Sequence, residues 1–201
     1  IEAYAQKHGK NELPAALVEA IAEQTTLEVP LLAMLQQWAS DREFYWRAQA
    51  LQGLAKRAPL LPAERQQPLS ELFVSHHSDP AWLVRVFARF GTALLGDTTV
   101  IAQTELDPRA TSKLTALLLQ SGQVPPLQPL LDALADERTF LESPWGQSRA
   151  LEANKALKNW LGADYPIHEG QSEPDKAAAI ARLMVAIEEK SGQQLRLPSI
   201  L

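Results

Sequence analysis

Apolar residues recur at intervals of three and four positions along most of the chain. This spacing is typical of amphipathic α-helices, because it places the apolar side chains on one face. β-branched residues are sparse and period-two alternation is missing, so no strand is predicted. The pattern predicts an all-α chain of about ten helices. Two of its clearest stripes are Leu13, Leu17, Val18, Ile21 and Ala22 near the start, and Ile180, Leu183, Met184 and Ile187 near the end.

Polar residues mark the starts of the predicted helices in the first half of the chain. Thr25 and Glu28 have the spacing of a capping box, which predicts a helix from about Thr26 to Ala39. Asp41 is expected to cap the next helix, since its carboxylate can accept from the free N–H groups of a first turn. That helix is expected to stop before Pro59, because a proline disfavours helical geometry in the residue before it.

Similar capping and breaking residues predict the helices in the second half of the chain. A short segment is predicted from Asp97 to Glu105. Residues 193–201 have the composition of an extended tail, whose apolar end needs a surface to lie against. The longer helices are predicted from Asp107 to Gly122, from Pro126 to about Asp136, from a Ser143-Pro144 cap to Gly162, and from Ser172 and Asp175 to about Ser191.

The segment from Pro30 to Gly91 carries one pattern twice, with an offset of 38 residues. Composition alone gives roughly one or two identical pairs in a 24-residue window, the length of Pro30 to Gly53. A repeat of this size predicts stacked helical hairpins. Seven identical pairs are present, namely Pro30/Pro68, Leu31/Leu69, Ser40/Ser78, Asp41/Asp79, Arg47/Arg85, Ala50/Ala88 and Gly53/Gly91.

The second copy contains two prolines with different expected effects. Pro68 falls inside the first helix of the pair, where it should bend the helix or shift its start. Ser78-Asp79-Pro80 repeats the cap, and Pro80 is expected at the first position of a helix reaching Leu95.

These residues resemble the HEAT repeat pattern, which has a proline in the first helix, an acidic turn, and then a Val-Arg pair and a small residue in the second helix. The first copy departs from it by carrying Trp46 where the pattern prefers a smaller apolar residue, so a bulkier stack is expected there. The resemblance covers about 65 residues, and weakens from Pro126 to Gly162. The second copy carries it most clearly, in Pro68-Leu69, Leu72-Phe73, Asp79-Pro80, Val84-Arg85, Ala88 and Leu94.

The resemblance implies a right-handed α-solenoid of stacked antiparallel helix pairs, forming a single domain over 1–201. Its clearest repeats are expected at 27–58 and 65–95, with a weaker one at 126–162 and a C-terminal capping helix at 172–191. It also implies a structural ladder, in which Asp41, Asp79, Arg47 and Arg85 cap helices and link one unit to the next. The alternative is that Arg47 and Arg85 contact a ligand on the inner face of the stack.

Charge and composition limit the kinds of partner that the chain is expected to bind. The net charge is −5, and no run of basic residues exceeds Lys56-Arg57, so nucleic acid is an unexpected partner. No stretch approaches the roughly 20 apolar residues that span a bilayer. The absence of cysteine excludes disulfides and thiolate metal sites but leaves the compartment open, with the cytoplasm slightly favoured. Because the first residue is Ile1, we expect a processed product or a piece of a longer protein.

Candidate chemistry is sparse. His76 and His77 are adjacent, so on a helix they point about 100 degrees apart and cannot chelate one ion; a solvated or helix-end role is favoured. His168 lies in a predicted loop without a partner nucleophile. No phosphate loop, nucleophile elbow or HExxH helix is present, and neither a catalytic residue, a metal nor a cofactor is predicted.

The tryptophans fall near predicted helix ends, where core packing explains most of them. Trp82 and Trp145, early in their helices, are the best candidates for anchoring a partner. The leading expectation is a non-catalytic scaffold that binds another protein, with Trp82, Trp145, Arg47 and Arg85 as candidate contacts. The alternatives are a helical-repeat DNA-binding or DNA-repair protein, and an accessory domain of a larger enzyme.

Overall fold

The computed structural model describes residues 29–102, 107–136, 148–165, 167–168 and 170–198. All regular structure in these residues is helical, and they contain no strand. The all-α prediction is confirmed for them. The chain divides into two compact units, Ile1–Ala102 and Gln103–Leu201. The predicted helix over 13–24 and the capping box at Thr25 lie outside the described residues. The single domain expected over 1–201 stays a prediction.

The first unit contains two helical hairpins in succession. The elements are α1 (Val29–Ala39), α2 (Phe44–Arg57), the 3₁₀ turn η1 (Ala58–Leu60), α3 (Ala63–Ser75), α4 (Trp82–Leu94) and the single turn α5 (Thr99–Ala102). The two helices of each hairpin pack against each other, α1 against α2 and α3 against α4. α2 also packs against α4, so the second helices of the two hairpins lie side by side.

The starts of α2 and α4 differ from the prediction. Both begin three residues after the repeated aspartate of their copy, at Phe44 and Trp82, with Glu43 and Ala81 as the capping residues. The expectation that Pro80 occupies the first helical position was therefore wrong, since Pro80 lies in the turn before α4. α2 ends at Arg57, before Pro59 as predicted, and the chain then tightens into η1, which contains Pro59.

Pro68 lies inside α3 as predicted, and its helix continues to Ser75. The side chain of Phe73, fully buried, fills the space between α3 and α4 opposite Gly91. A Cβ atom built on Gly91 would come within 2.5 Å of Phe73 Cζ. This glycine is required by the close approach of the phenylalanine ring to the helix backbone.

The second unit packs α6 (Pro108–Gln120), α7 (Gln128–Ala135), α8 (Arg149–Leu161) and α9 (Glu173–Ser191) around one apolar core. In this unit α8 contacts α6, α7 and α9, and α7 also contacts α6 and α9. The predicted stripe of α9 is confirmed, because its four apolar residues are all buried.

Helix ends in this unit follow the sequence signals closely. Asp107 accepts a hydrogen bond from Arg109 N–H at the start of α6, and Ser172 accepts one from Asp175 N–H at the start of α9. Gly162 ends α8 in a left-handed conformation (φ 76°). The start of α8 was predicted at Ser143-Pro144, which lie outside the described residues. Instead, Ser148 caps it by accepting from Leu151 N–H.

Candidate functional site

The turn that precedes each second helix is built in the same way in both copies. In the first copy, Asp41 Oδ1 accepts from Glu43 N–H at 3.0 Å, and in the second Asp79 Oδ1 accepts from Ala81 N–H at 2.9 Å. An aspartate that bonds the backbone two residues ahead forms a local turn, which explains why each helix starts later than predicted.

Each second helix returns an arginine to its own turn. Arg47 Nη1 donates to the carbonyl oxygens of Asp41 and Arg42 at 2.9 and 2.8 Å. Arg85 Nη1 donates to the carbonyls of Asp79 and Pro80 at 2.9 and 3.1 Å. Donors and acceptors in the two copies are related by the same 38-residue offset as the sequence pattern. The repeat in the sequence is therefore also a repeat of specific hydrogen bonds.

Arg47 also connects the two copies. Its Nε and Nη2 donate to Asp79 Oδ2 and Oδ1, both at 2.9 Å, in a bidentate pair. The side chains are 13% and 7% exposed, respectively, so water screens the pair only weakly. The expected link from one unit to the next is confirmed for this pair. With Nε, Nη1 and Nη2 all donating within the chain, Arg47 has a clear structural role.

Asp79 has further contacts besides the bidentate pair. His76 Nδ1 lies 3.6 Å from Asp79 Oδ2, in addition to the contacts from Arg47 and Ala81. Burial raises the pKa of the Asp79 carboxyl, but hydrogen bonds from Arg47 and from Ala81 N–H, with the charges of Arg47 and His76, outweigh burial and hold the pKa below its usual value. The carboxylate form is thus the one that the folded chain stabilises.

His77, for which a solvated or helix-end role was expected, is half-buried. Its Nε2 lies 3.0 Å from Thr92 Oγ1, and Thr92 Oγ1 donates its own hydrogen to Ala88 O at 3.1 Å. Thr92 is therefore the acceptor and His77 Nε2–H the donor. Burial lowers the pKa of His77, the charge of Arg89 lowers it further, and Asp97 opposes both. His77 follows the C-terminal end of α3, as predicted.

The remaining predicted contacts are distributed over the chain. Trp82 is half-buried at the first position of α4. Trp145 lies outside the described residues. His168 is exposed in the loop before α9. A partner-binding role for Trp82, Trp145, Arg47 and Arg85 stays a prediction.

Sequence reasoning missed Phe44, which stands at the first position of α2 and is 45% exposed. Its number is 38 less than that of Trp82, so the two aromatic residues occupy equivalent positions. Because Arg47 in the first turn of α2 bonds Asp79 in the turn before α4, the starts of the two helices lie close together. Comparing residue class as well as identity between the two copies would have found the match.

Among the residues that the structure describes, no group of three or more histidines and acids is placed to hold a metal ion. Within the same residues, no helix has both the length and the apolar character that crossing a bilayer requires.

Comparison of the chain with protein-family models, curated proteins and solved structures finds no match.

Proposed function

We propose that the chain is a HEAT-like α-solenoid that acts as a non-catalytic scaffold and binds another protein. The observation that carries this proposal is the repetition of one set of hydrogen bonds in two successive hairpins, together with the Arg47 to Asp79 bond between them. In a solenoid each repeat contacts its neighbours and is stabilised by its interfaces with them.

The packing of α2 against α4 supports the same proposal. Helices that stack in register place equivalent residues of successive repeats in rows about 8–10 Å apart. Such rows form an extended surface that a partner can follow, which is how helical repeats bind other proteins. A catalytic centre is not needed for this role.

The aromatic residues at the starts of α2 and α4 are the proposed anchors. Phe44 and Trp82 supply large apolar surface at equivalent positions, and aromatic side chains are enriched among residues that dominate binding energy. Arg47 and Asp79 hold the two turns at a fixed spacing directly beside them. A partner that inserts between the aromatic side chains would meet a rigid surface.

A photo-crosslinking experiment tests the proposal. Benzoylphenylalanine is placed at position 44 or 82 of the full chain, and at exposed Val185 of α9 as a control. We expect one protein adduct from positions 44 and 82 that is absent at position 185. The partner is then identified, purified and titrated against the parent chain.

Substitutions complete the test. Trp82→Ala should weaken the purified partner's binding at least tenfold, because loss of an aromatic anchor costs about 2 kcal/mol or more, whereas Val185→Ala should leave it unchanged. If no position yields a protein adduct and the purified chain instead turns over a small molecule, the scaffold role is excluded. Salt-sensitive binding of duplex DNA would support the nucleic-acid alternative.

A further inference from the structure

The chain beyond α9 runs back to the start of α7, where it is bonded at positions 125 to 128. Gly192 ends α9 with a φ of 71°, and no residue from Gly192 to Pro198 is helical. Gln193 then bonds the segment before α7 through both ends of its amide. Its Oε1 accepts from Leu127 N–H at 2.9 Å, and its Nε2 donates to Pro125 O at 2.8 Å.

Side chains of the helices bond the main chain of this segment in return. Gln128 Oε1 accepts from Arg196 N–H and Gln128 Nε2 donates to Arg196 O, both at 3.0 Å. Glu188 Oε1 accepts from Leu195 N–H at 2.9 Å. A primary amide that satisfies the N–H and the C=O of one residue holds an extended backbone whatever side chain that residue carries.

One side chain of the segment is held in an apolar environment. Leu195 packs against the core that α7, α8 and α9 share, while its neighbour Leu197 is 71% exposed. Arg196 is exposed as well. The contacts therefore combine backbone hydrogen bonds with one apolar anchor, which is the usual chemistry for binding an extended peptide.

We propose that the surface formed by Pro125, Leu127, Gln128 and Glu188, here called the tail groove, is a binding site for an extended peptide of a partner protein. The peptide carries an apolar residue at the position of Leu195. Residues 193–197 of the chain occupy the tail groove as an intramolecular ligand, and the partner's peptide replaces them.

Residues 193–197 compete with an external peptide for the tail groove, because they are covalently connected to it. A ligand tethered to its own site has a high effective concentration, of about millimolar for a short flexible connection. A peptide from another molecule then binds only the fraction of chains whose tail groove is open, and its apparent affinity falls by that fraction. Changes that release residues 193–197 should therefore raise the affinity for an external peptide.

The experiment uses the full chain and a fluorescent peptide of residues 192–198 as probe. In one variant, Gln193→Ala and Leu195→Ala together remove the amide contacts and the apolar anchor of the tail without changing the tail groove. We expect this variant to bind the probe about tenfold or more tightly than the parent chain does, by fluorescence anisotropy.

Two matched controls locate the binding. Adding Gln128→Ala to the tail variant should reduce probe binding at least fivefold, since it removes both bonds to Arg196. A probe with serine in place of Leu195 should lose binding by a similar factor. Equal binding to parent and tail variant, or none to a variant that keeps its helical circular dichroism, would overturn the proposal.

A second measurement tests the proposal on the parent chain, in case the double substitution unfolds the variant. In the parent chain, excess unlabelled probe should accelerate hydrogen exchange at the N–H groups of Leu195 and Arg196, because their acceptors are taken by the added peptide. Unchanged exchange at saturating probe would contradict the proposal. The tail groove lies in the second unit, so failure here leaves the scaffold role of Phe44 and Trp82 to its own test.

Discussion

The guanidinium of Arg47 donates two parallel hydrogen bonds to the carboxylate of Asp79, each of 2.9 Å, across 32 residues of sequence. Arg47 belongs to the second helix of one hairpin and Asp79 to the turn of the next. The same guanidinium holds the carbonyl of Asp41 in its own turn. One side chain therefore fixes the spacing between two equivalent turns.

Asp79→Asn should lower the free energy of unfolding by about 2–3 kcal/mol, because it leaves a weakly exposed guanidinium without its ionic partner. Urea unfolding measures this loss. Asp164→Asn provides the matched control, since Asp164 pairs with Lys158 where both side chains are about half exposed. Pairs of that kind contribute about 0–1 kcal/mol. Equal losses from the two substitutions would show that the Arg47 to Asp79 pair contributes no more to the free energy of unfolding than an exposed pair does.

Gly91→Ala should destabilise the first unit although alanine is the better helix former by about 1 kcal/mol. The added methyl group would overlap the ring of Phe73, and overpacking of a filled core costs about 1–3 kcal/mol. The measurement is again urea unfolding. A smaller side chain at position 73 removes the overlap, and the first copy carries Leu35 at the equivalent position. Gly91→Ala should therefore cost much less in a Phe73→Leu background, and an identical cost in both backgrounds would argue against the overlap.

The sequence was most informative where a local rule determines the structure. Ser172 and Asp175 stand at capping distance, and Gly162 follows the last apolar position of its helix, so both predicted boundaries agree with the structure. The resemblance implied structural roles for Arg47 and Arg85, and each of them bonds the turn of its own copy. Helix starts at Phe44 and Trp82 were missed, since an aspartate forms a turn two residues ahead as readily as it caps a helix.

Contacts between distant residues were less predictable. Gln128 and Gln193 belong to no motif, and their bonds join positions that are 66 and 68 residues apart. Glutamine is common on solvated helix faces, so its presence alone does not indicate a contact with the backbone. The tail groove depends on how α7 and α9 pack, which periodicity does not determine. Phe44 was missed for a simpler reason, because the repeat was compared by identity and phenylalanine differs from tryptophan.

Ser172→Ala should reduce stability by about 1 kcal/mol, since it removes the acceptor for Asp175 N–H at the start of α9. Thermal unfolding of the full chain, with hydrogen exchange in the first turn of α9, measures the effect. Ser172→Thr retains a hydroxyl at the cap and should keep most of the stability. If both variants lose the same amount, the hydroxyl is not the group that stabilises the helix end.

His77 should make the first unit less stable in weak acid. Its pKa is lowered in the folded chain, chiefly by burial and then by Arg89, so the unfolded chain binds more protons below the ordinary histidine pKa of about 6.5. The free energy of unfolding then rises with pH across this interval and decreases as pH falls below about 6.5. One group contributes a slope of at most about 1.4 kcal/mol per pH unit.

His77→Gln isolates this contribution, because the glutamine amide can still donate to Thr92 but does not titrate. Urea unfolding of parent and variant at pH 7.5 and pH 5.5 separates His77 from the other titrating groups of the chain. We expect the parent to lose stability relative to the variant on going to pH 5.5, since only the parent acquires a charge beside Arg89. A difference between the two proteins that stays constant over this range would show that protonation of His77 does not oppose folding.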